Sequence, residues 1–228
     1  MKILYLIPAR GGSKGFPGKN IKELNGKALI NHSIDFARKF TDDSNICVST
    51  DSTEIIKCVE TNNLKVHFKR PAELATDTAS TNEVINHALD YYKSKGKLYD
   101  VLILLQPTTP FRRIDDLTNM INLWNNKIDM LVSVKESHDS PYFNLFEENS
   151  NGYLSKSKES AATRRQDSPK VFSINGSIYV YNINSINSKS INNFTKIKKY
   201  IMNDPVLSID IDTEFDFIIA KTLGKKLI

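Results

Sequence analysis

The amino-acid sequence predicts an α/β fold, with a doubly wound and mostly parallel sheet covered by helices on both faces. Strand-length apolar runs alternate with amphipathic helical stretches through the first half of the chain, which is the pattern of consecutive β-α-β units. The length of 228 residues suits one large domain, 1–228. Hydrophobic residues make up 40% and charged residues 25% of the chain, as in ordinary globular proteins, which argues against disorder.

The strands of the first half are continuous, β-prone apolar runs, as expected where both faces of a sheet are covered. They are predicted at 3–7, 46–49, 66–68, 101–105 and 130–134. Helices are predicted over 28–39 and 53–62, after the capping-box pair Ser80 and Glu83, and from near Asp115. Ligands of such folds bind beyond the carboxyl ends of the strands, so the loops at that edge hold the candidate site.

The second half departs from this alternation. Residues 136–172 are polar with isolated aromatic residues, and loops longer than about 15 residues are uncommon unless functional or interfacial. We interpret this segment as an insertion, in the form of a hairpin that packs against another subunit. Strands at 177–181 and 207–211 are predicted to follow. Thr213 and Asp216 then mark the start of a closing helix that ends near Gly224.

The chain carries 31 Lys and Arg against 26 Asp and Glu, and its net charge of +5 favours an anionic partner. No apolar run approaches the roughly 18 residues of a membrane span, and the N-terminus does not resemble a signal peptide. No nucleic-acid-binding motif is present, and two cysteines are too few for a disulfide framework. We therefore expect a cytoplasmic protein that binds a small anion and neither nucleic acid nor membrane. Surplus lysines, such as Lys198, Lys199, Lys225 and Lys226, are expected to serve solubility.

The loop 8–20, directly after the first strand, combines four glycines with Arg10, Lys14 and Lys19. Inward-facing backbone N–H groups and cations of this kind bind polyphosphates. The loop is neither a Walker A motif nor G-x-G-x-x-G, because Ser13 stands where a glycine is required and Asn20 replaces Ser or Thr. The alternative is a flexible turn with solvated lysines.

A second candidate is the run Ser208-Ile-Asp-Ile-Asp212. On a strand, Asp210 and Asp212 share one face, and two adjacent carboxylates repel each other unless a cation lies between or near them. Oxygen ligands suit Mg²⁺, which typically takes one or two carboxylates together with phosphate oxygens. The alternative is that Asp212 caps a helix and Asp210 is solvated. Together with the cationic loop, the pair predicts a nucleoside triphosphate with Mg²⁺ and nucleotidyl or phosphoryl transfer.

The glycine-rich loop is the first of several motifs that occur in the same order in one known group of enzymes. The chain resembles the CMP–N-acylneuraminate (CMP–sialic acid) synthetases, which are sugar-acid cytidylyltransferases, and the resemblance runs the length of the sequence. The motifs are Arg10-Gly-Gly-Ser-Lys14-Gly with Lys19-Asn20, Ser49-Thr-Asp51, Arg70-Pro-Ala-Glu-Leu-Ala75, Asp77-Thr-Ala-Ser80, Leu105-Gln-Pro-Thr-Thr-Pro-Phe-Arg112, Arg164-Arg-Gln-Asp167, Asn175-Gly-Ser-Ile-Tyr179 and Asp210-Ile-Asp-Thr-Glu214.

The resemblance implies a Rossmann-like nucleotidyltransferase fold and a reaction of CTP with a nonulosonic acid that gives a CMP-sugar and pyrophosphate. It implies Mg²⁺ as cofactor. It also implies the roles of individual residues. These are Arg10, Lys14, Lys19, Asp210 and Asp212 in catalysis; Arg10, Gly11, Gly12, Ser13, Lys14, Lys19, Asn20, Arg70 and Ser80 in nucleotide binding; Gln106, Thr108 and Arg165 in sugar binding; and Asp210 and Asp212 as metal ligands.

The insertion 136–172 resembles the dimerisation segment of these enzymes, which implies a homodimer. Asn144 stands near a position where some sialic-acid enzymes carry a lysine, so the contacts to the acyl and glycerol groups are left open. Whether Arg164 or Arg165 faces the sugar carboxylate is also open. The acceptor is N-acetylneuraminate or a relative such as legionaminic acid. The alternative is another sugar nucleotidyltransferase, such as a CMP-Kdo synthetase.

Overall fold

The computed structural model describes residues 1–224, so Lys225 and Lys226 lie outside the described residues. Strands and helices alternate along the chain as the sequence predicts. The strands are β1 (Ile3–Pro8), β2 (Glu23–Leu24), β3 (Lys27–Ala28), β4 (Ile46–Ser49), β5 (Val101–Leu105), β6 (Met130–Glu136), β7 (Phe146–Glu148), β8 (Leu154–Lys156), β9 (Phe172–Asn182) and β10 (Ile197–Ile201). The helices are α1 (Leu29–Ala37), α2 (Thr53–Thr61), α3 (Thr81–Ser94), α4 (Ile114–Leu123), α5 (Ile183–Ser188) and α6 (Glu214–Leu223).

A six-stranded sheet in the order β10-β6-β9-β5-β1-β4 forms the centre of the fold. β9 runs antiparallel to both of its neighbours, and the other paired strands of this sheet are parallel. The mostly parallel α/β fold is therefore confirmed. Because β1, β4 and β5 are parallel neighbours, their carboxyl ends meet at one edge of the sheet.

Alternating side chains of the strands build a hydrophobic core on each face of the sheet. In β1, Tyr5 and Ile7 face the cluster that α1, α2, α4 and α6 cover, whereas Leu4 and Leu6 face the cluster under α3 and α5. All five residues of β5 are buried. Burial on both faces explains why these strands are continuous apolar runs.

Two helix starts were expected from capping boxes, and both are confirmed. The Ser80 hydroxyl accepts from the Glu83 amide, and the Glu83 carboxylate accepts from the Ser80 amide, so α3 begins at Thr81. Thr213 and Asp216 form the same pair at the start of α6. Each box satisfies N–H groups that the first turn of a helix leaves without partners.

The strand predicted at 66–68 is wrong, because this segment pairs with no strand within residues 1–224. Phe68 instead packs its ring against His87 and Tyr91 of α3, so its apolar character reflects side-chain packing and not sheet pairing. The strand predicted at 207–211 is also wrong. A 3-10 turn over Pro205–Ser208 occupies its start, and Ile209 to Asp212 follow as irregular backbone. Ile211 is fully buried while Asp210 and Asp212 are exposed, so the expected alternation of faces survives without a strand.

Residues 137–171 leave the sheet at the end of β6 and return at the start of β9. They contain the expected hairpin, in which β7 pairs antiparallel with β8. Its large apolar side chains are exposed, with Phe146 at 48% and Leu154 at 68% of full exposure. The homodimer that this segment implies stays a prediction. None of the helices in residues 1–224 combines the length and apolarity needed to cross a membrane.

Candidate active site

The loops after β1 and β5 meet the segment before α6 at the carboxyl edge of the sheet. They enclose a cleft of about 390 Å³. A larger cavity of about 560 Å³ lies at the opposite edge, around Lys2, Tyr5 and Tyr99, and holds none of the expected site residues. The cleft collects most of the cationic loop together with the acidic segment. Its lining is Pro8, Arg10, Ser13, Lys14, Gly15, Lys19, Asn20, Gln106, Pro107, Thr108 and Asp212.

The backbone of the glycine-rich loop is held in place by side chains and by the neighbouring strand. The amide of Gly11 donates to the Asp51 carboxylate at 2.9 Å, and the Asn20 side-chain amide donates to the carbonyl of Arg10 at 3.1 Å. Asn20 is only 5% exposed, so its amide is committed to the loop. Gly11 and Gly12 do not line the cleft, whereas Ser13, Lys14 and Gly15 do. The roles of Gly11 and Gly12 in nucleotide binding stay predictions.

Lys19 is the buried cation of this loop, at 9% exposure. Its Nζ donates to the carbonyl of Ile211 at 2.8 Å and to the carboxylate of Asp212 at 2.9 Å. A buried ammonium requires such partners, because removing a charge from water without compensation is costly. Lys19 therefore joins the glycine-rich loop to the segment that carries the two aspartates.

Arg10 and Lys14 both pair with one carboxylate, that of Asp77. Arg10 Nη1 donates to Asp77 Oδ1 at 2.6 Å, and Lys14 Nζ pairs with Asp77 Oδ2. Hydrogen bonds from Lys14 and Arg10 hold the pKa of the Asp77 carboxyl below its ordinary value. The three charged groups are solvent-exposed to different degrees, with Lys14 at 81% of its side chain. Asp77 thus pairs, as a bound anion would, with the two cations of the cleft that solvent can reach, Arg10 in part and Lys14 almost fully.

Gly15 allows the loop to approach the acidic segment closely. A Cβ at this position would lie 2.7 Å from the carbonyl oxygen of Asp212, a distance that two such atoms do not tolerate. Glycine is therefore required by contact here. The amide of Asp212 donates to the Asp216 carboxylate at 3.1 Å, so the capping box of α6 also orients this backbone.

Asp210 lies beside the cleft, between Thr108 and Gly176. The pKa of the Asp210 carboxyl is raised, mainly because neighbouring residues shield the carboxyl from solvent although the residue as a whole is exposed. The nearby Asp212 carboxylate adds to the rise, and a hydrogen bond from the Thr108 side chain opposes it. Thr108 also accepts the amide of Ile211 through its carbonyl, at 2.8 Å. The loop after β5 therefore fixes the backbone between the two aspartates.

Asp210 and Asp212 provide oxygen ligands only, and such donors suit Mg²⁺ when phosphate oxygens and water complete its shell. Within residues 1–224, no three His, Cys, Asp or Glu side chains come together as a potential metal site. The pair therefore fits a cation that is bound jointly with a ligand's phosphates. It does not fit a metal held by protein side chains alone.

A bulge in β9 brings Gly176 against these residues. Val132 pairs with Tyr179 but Val134 pairs with Ile174, so residues 175–178 bulge opposite Ser133. At Gly176, where φ is +75°, a Cβ would lie 2.8 Å from Gln106 Oε1 and 3.6 Å from Asp210 Oδ2. Only glycine combines this backbone conformation with so close an approach. The bulge thus places Gln106 and Asp210 side by side.

A second cleft of about 250 Å³ adjoins the first, and Gln106 lines both. It is polar, and it lies between the start of α3 and the exit of β9. Burial raises the pKa of Tyr179 to about 12, so this phenol is a neutral donor in its wall. Ser80, which the resemblance assigns to the nucleotide, lies in this second cleft with Gln106. The lining is Ser80, Thr81, Asn82, Leu104, Gln106, Tyr179, Tyr181, Ser190, Ile191 and Asn192.

Arg70 and Arg165 line neither cleft. Arg70 is 5% exposed, and its Nε donates to the Ser49 hydroxyl at 2.9 Å, so it holds the end of β4. Arg165 lies in the insertion, where its Nη2 donates to the carbonyl of Ser137 at 3.3 Å and contacts His138 Nδ1 at 3.0 Å. Arg164 forms a bidentate pair with Asp167. Arg165 is thus the one of the two that is not engaged with a carboxylate, within the described chain.

Asn144 also lies in the insertion, where its side chain makes two local hydrogen bonds. Its side-chain amide donates to Asp139 at 2.9 Å, and its Oδ1 accepts the amide of Ser140 at 2.7 Å. Asn144 therefore closes a local turn. A separate cavity of about 440 Å³, which includes His138 and Arg165, lies between this turn and the start of β9.

The residue-by-residue assignment missed Asp77 and Gly176, although both lie in motifs that match the resemblance. Their role depends on which residues the fold places opposite them. Spacing carries no signal for the contact of Asp77 with Arg10, 67 residues away. Gly176 was detectable in principle, because an isolated glycine within a strand often marks a bulge.

Comparison with known proteins finds curated relatives that match most of this chain. The post-translational flagellin modification protein B of Campylobacter coli is 36% identical, over 99% of this chain and 96% of its own length. The CMP-N,N'-diacetyllegionaminic acid synthase of Legionella pneumophila is 32% identical, over 98% and 96%. An N-acylneuraminate cytidylyltransferase of Streptococcus agalactiae is 33% identical over 96% of this chain, which covers 52% of that longer protein.

Solved structures agree on the fold. The structure of CMP:2-keto-3-deoxy-manno-octonic acid synthetase complexed with CTP superposes with a TM-score of 0.73, covering all of both chains at 18% identity. At that identity the likeness concerns the fold alone. The sequence model of the cytidylyltransferases, in contrast, matches residues 4–220 and spans the loop, both clefts and the acidic segment. The chain therefore belongs to the cytidylyltransferase family.

Proposed function

We propose that this cytidylyltransferase transfers CMP from CTP to the anomeric hydroxyl of a nonulosonic acid, with release of pyrophosphate. The observation that carries the proposal is the pair of adjoining clefts that share Gln106. The first cleft has the cations that a triphosphate needs. The second is lined by hydroxyl and amide groups, which suit the hydroxyl groups of a sugar, and Ser80 lies among them although the resemblance assigns it to the nucleotide. A phosphate chain in the first cleft and a sugar in the second would meet beside Gln106 and Asp210.

The reaction is a direct displacement at the α-phosphorus of CTP. The anomeric oxygen forms a bond to phosphorus while the bond from phosphorus to the bridging oxygen of pyrophosphate breaks. The hydroxyl proton passes to Asp210, Asp212 or solvent. Catalysis rests on positioning and on neutralising the charge that develops on the phosphates. Lys19 is pre-positioned for this task, and Arg10 and Lys14 join it once a phosphate replaces Asp77.

We assign Mg²⁺ to Asp210 and Asp212, whose carboxylates supply oxygen ligands next to the cationic loop. When bound, Mg²⁺ would neutralise phosphate charge and make the α-phosphorus more susceptible to attack by the anomeric oxygen. Lys19 keeps Asp212 oriented through its 2.9 Å contact, and Thr108 orients Asp210. Removal of divalent cations with a chelator is expected to abolish turnover, and added Mg²⁺ is expected to restore it.

The acceptor is proposed to be legionaminic acid or N-acetylneuraminate. The names of the relatives support this range, since those that match over both full lengths include a CMP-legionaminic acid synthase. Arg165 is proposed to pair with the sugar carboxylate, because an arginine fork suits that group and its neighbour Arg164 is engaged with Asp167. Arg165 lines a separate cavity within one chain, so this pairing requires the insertion to lie over the second cleft in the homodimer. The exposed apolar side chains of the hairpin, Phe146 and Leu154, support a homodimer formed through the insertion.

The test is pyrophosphate release with CTP, UTP, GTP and ATP, each combined with N-acetylneuraminate, legionaminic acid, pseudaminic acid and Kdo. The proposal expects turnover with CTP and a nonulosonic acid, and the CMP-sugar is identified by its mass. Faster turnover of UTP or GTP than of CTP would contradict the nucleotide assignment. Preference for Kdo over every nonulosonic acid would favour the alternative, a CMP-Kdo synthetase.

A further inference from the structure

Arg112 lies where β5 and β9 separate. Their antiparallel ladder ends at the pair Leu105 and Ile178. Beyond this pair the next two carbonyls belong to Gln106 and Ser177, and the guanidinium of Arg112 donates to both. Nη2 lies 2.6 Å from the Gln106 oxygen, and Nε lies 3.0 Å from the Ser177 oxygen. The Arg112 side chain thus supplies hydrogen bonds to two carbonyls that the ladder no longer pairs.

A third bond anchors the guanidinium to a helix. Nη1 donates at 2.9 Å to the hydroxyl of Ser33, which is fully buried in α1. The planar fork of an arginine can meet three acceptors in fixed directions, which the ammonium of a lysine cannot do. Arg112 therefore connects α1, the loop after β5 and the bulge of β9.

Arg112 carries its charge without a carboxylate partner within residues 1–224, because its acceptors are two carbonyls and a hydroxyl. Burial lowers the pKa of the guanidinium to about 9, so the group remains charged at neutral pH. An unpaired charge removed from water destabilises a fold unless its hydrogen bonds compensate. Arg112 is half-buried and makes three hydrogen bonds, and retaining a charge here without a carboxylate partner is consistent with a geometric role where the strands separate.

Arg112 fixes the backbone that carries the side chain of Gln106. Gln106 Oε1 would lie 2.8 Å from a Cβ on Gly176, so the glutamine packs directly over the bulge. Arg112 holds the carbonyl of Gln106 and the carbonyl of the residue after Gly176. The separation of these two backbone segments is thus set by one guanidinium. Gln106 itself lines both clefts.

We propose that Arg112 is a positioning residue for the acceptor sugar, which acts by fixing Gln106 against Gly176 at the junction of the two clefts. This inference rests on the proposed function. Arg112 itself lines neither cleft, so it acts through Gln106 and through the bulge. Its influence on the nucleotide is small, because Lys19 and the glycine-rich loop are held by other contacts.

The test is Arg112→Lys, which keeps the charge and loses the fork. The expected result is a rise of about tenfold or more in KM for the acceptor, while KM for CTP stays within about twofold. Gln106→Ala should give the same pattern. The double variant should be no worse than the more severe single variant, because both changes remove one positioning effect. The matched control is Arg38→Lys, which alters an arginine that bonds Asp43 and the carbonyl of Asn62 elsewhere. Both KM values of that control should be unchanged.

Ser33→Ala provides a second measurement, since it removes one acceptor of the guanidinium and serves if Arg112→Lys does not fold. It should raise KM for the acceptor in the same direction by a smaller factor. Equal rises in both KM values, or fully additive effects of Arg112→Lys and Gln106→Ala, would overturn the positioning role. A wild-type protein that is inactive with every acceptor would instead overturn the proposed function, so the two failures are distinguishable.

Discussion

The cations of the glycine-rich loop are held in two different ways. Lys19 is 9% exposed and donates to a backbone carbonyl and to Asp212. Arg10 and Lys14 share the single carboxylate of Asp77, and the Lys14 side chain is 81% exposed. One cation is thus part of the folded framework, and the other two are paired with a group that a ligand can replace.

The difference matters for how a triphosphate enters. Solvent screens exposed ion pairs and leaves them with little net stabilisation, so displacing Asp77 from Arg10 and Lys14 costs little. Buried charges lose several kcal/mol when a partner is removed, so Lys19 does not exchange its partners freely. We conclude that Lys19 keeps the cleft assembled and offers its third N–H to a phosphate without giving up its partners, whereas Arg10 and Lys14 become available to the ligand when Asp77 is displaced.

Replacing Lys19 with Met tests the cation that is held by buried contacts, and it has the largest expected effect. The substitution leaves the Ile211 carbonyl and the Asp212 carboxylate without their donor. We expect a loss of about 10²- to 10³-fold in kcat/KM, the range typical of removing one pre-positioned donor to a reacting group. The control is Lys39→Met, an exposed lysine distant from the cleft. Activity of Lys19→Met within a few-fold of wild type would remove Lys19 from the catalytic set.

Gly15→Ala tests whether the close approach of loop and acidic segment is required. Its methyl group would lie 2.7 Å from the Asp212 oxygen, so the two backbones must separate. We expect a loss of about 10- to 100-fold in kcat/KM, measured by pyrophosphate release. The comparison is Gly12→Ala, whose methyl group meets no atom within 4 Å and whose loss should be clearly smaller. Similar losses for both variants would show that the contact has no special role.

Asp77→Asn tests the two cations, Arg10 and Lys14, whose carboxylate partner a ligand can replace. Removing the carboxylate frees Arg10 and Lys14 from their internal anion, so the KM for CTP should fall by about two- to fivefold. The matched control is Asp43→Asn, which removes the carboxylate that pairs with Arg38 and should leave KM unchanged. A higher KM for CTP in Asp77→Asn would mean that Asp77 orients the two cations and does not compete with the ligand.

The smallest expected effect is the pH dependence of the KM change in Asp77→Asn. Because Lys14 and Arg10 lower the pKa of Asp77, its carboxylate stays ionised until the pH falls below the ordinary value for Asp, about 4. The ratio of KM values for CTP between wild type and Asp77→Asn should therefore be constant from about pH 5.5 to 8.5. Titration of CTP itself cancels in this ratio. A ratio that declines towards one within that range would contradict a permanently charged Asp77.

Sequence patterns predicted the central strands and the two capping boxes because those features depend on local burial and local hydrogen bonds. They missed the edge strand β10, whose residues Ile197 to Ile201 are mostly exposed and alternate poorly. They also assigned a strand to 66–68, where apolar side chains pack on a helix and the backbone has no neighbouring strand. Pairing partners of an edge segment are set by the tertiary fold, so a local pattern does not contain them.

The class of ligand that the site binds could be predicted from the sequence. A cationic loop and an acidic pair indicate a triphosphate wherever the fold brings them together. What the pattern lacks is the identity of each long-range partner, such as Ile211 for Lys19, 192 residues apart. The placement of Gln106 at the junction of two clefts depends on a bulge in another strand, which was not anticipated.

Because β9 runs antiparallel to its neighbours, the insertion can change in length without disturbing the sheet. Since β9 starts at the carboxyl edge of its parallel neighbours, the insertion leaves and re-enters the sheet beside the clefts. Lengthening such a segment costs only loop-closure entropy, about 0.6 kcal/mol for each doubling. The hydrophobic cores and the glycine-rich loop would not be disturbed. The architecture thus lets the length of the insertion change while the residues that line the two clefts, all of which lie outside it, keep their places.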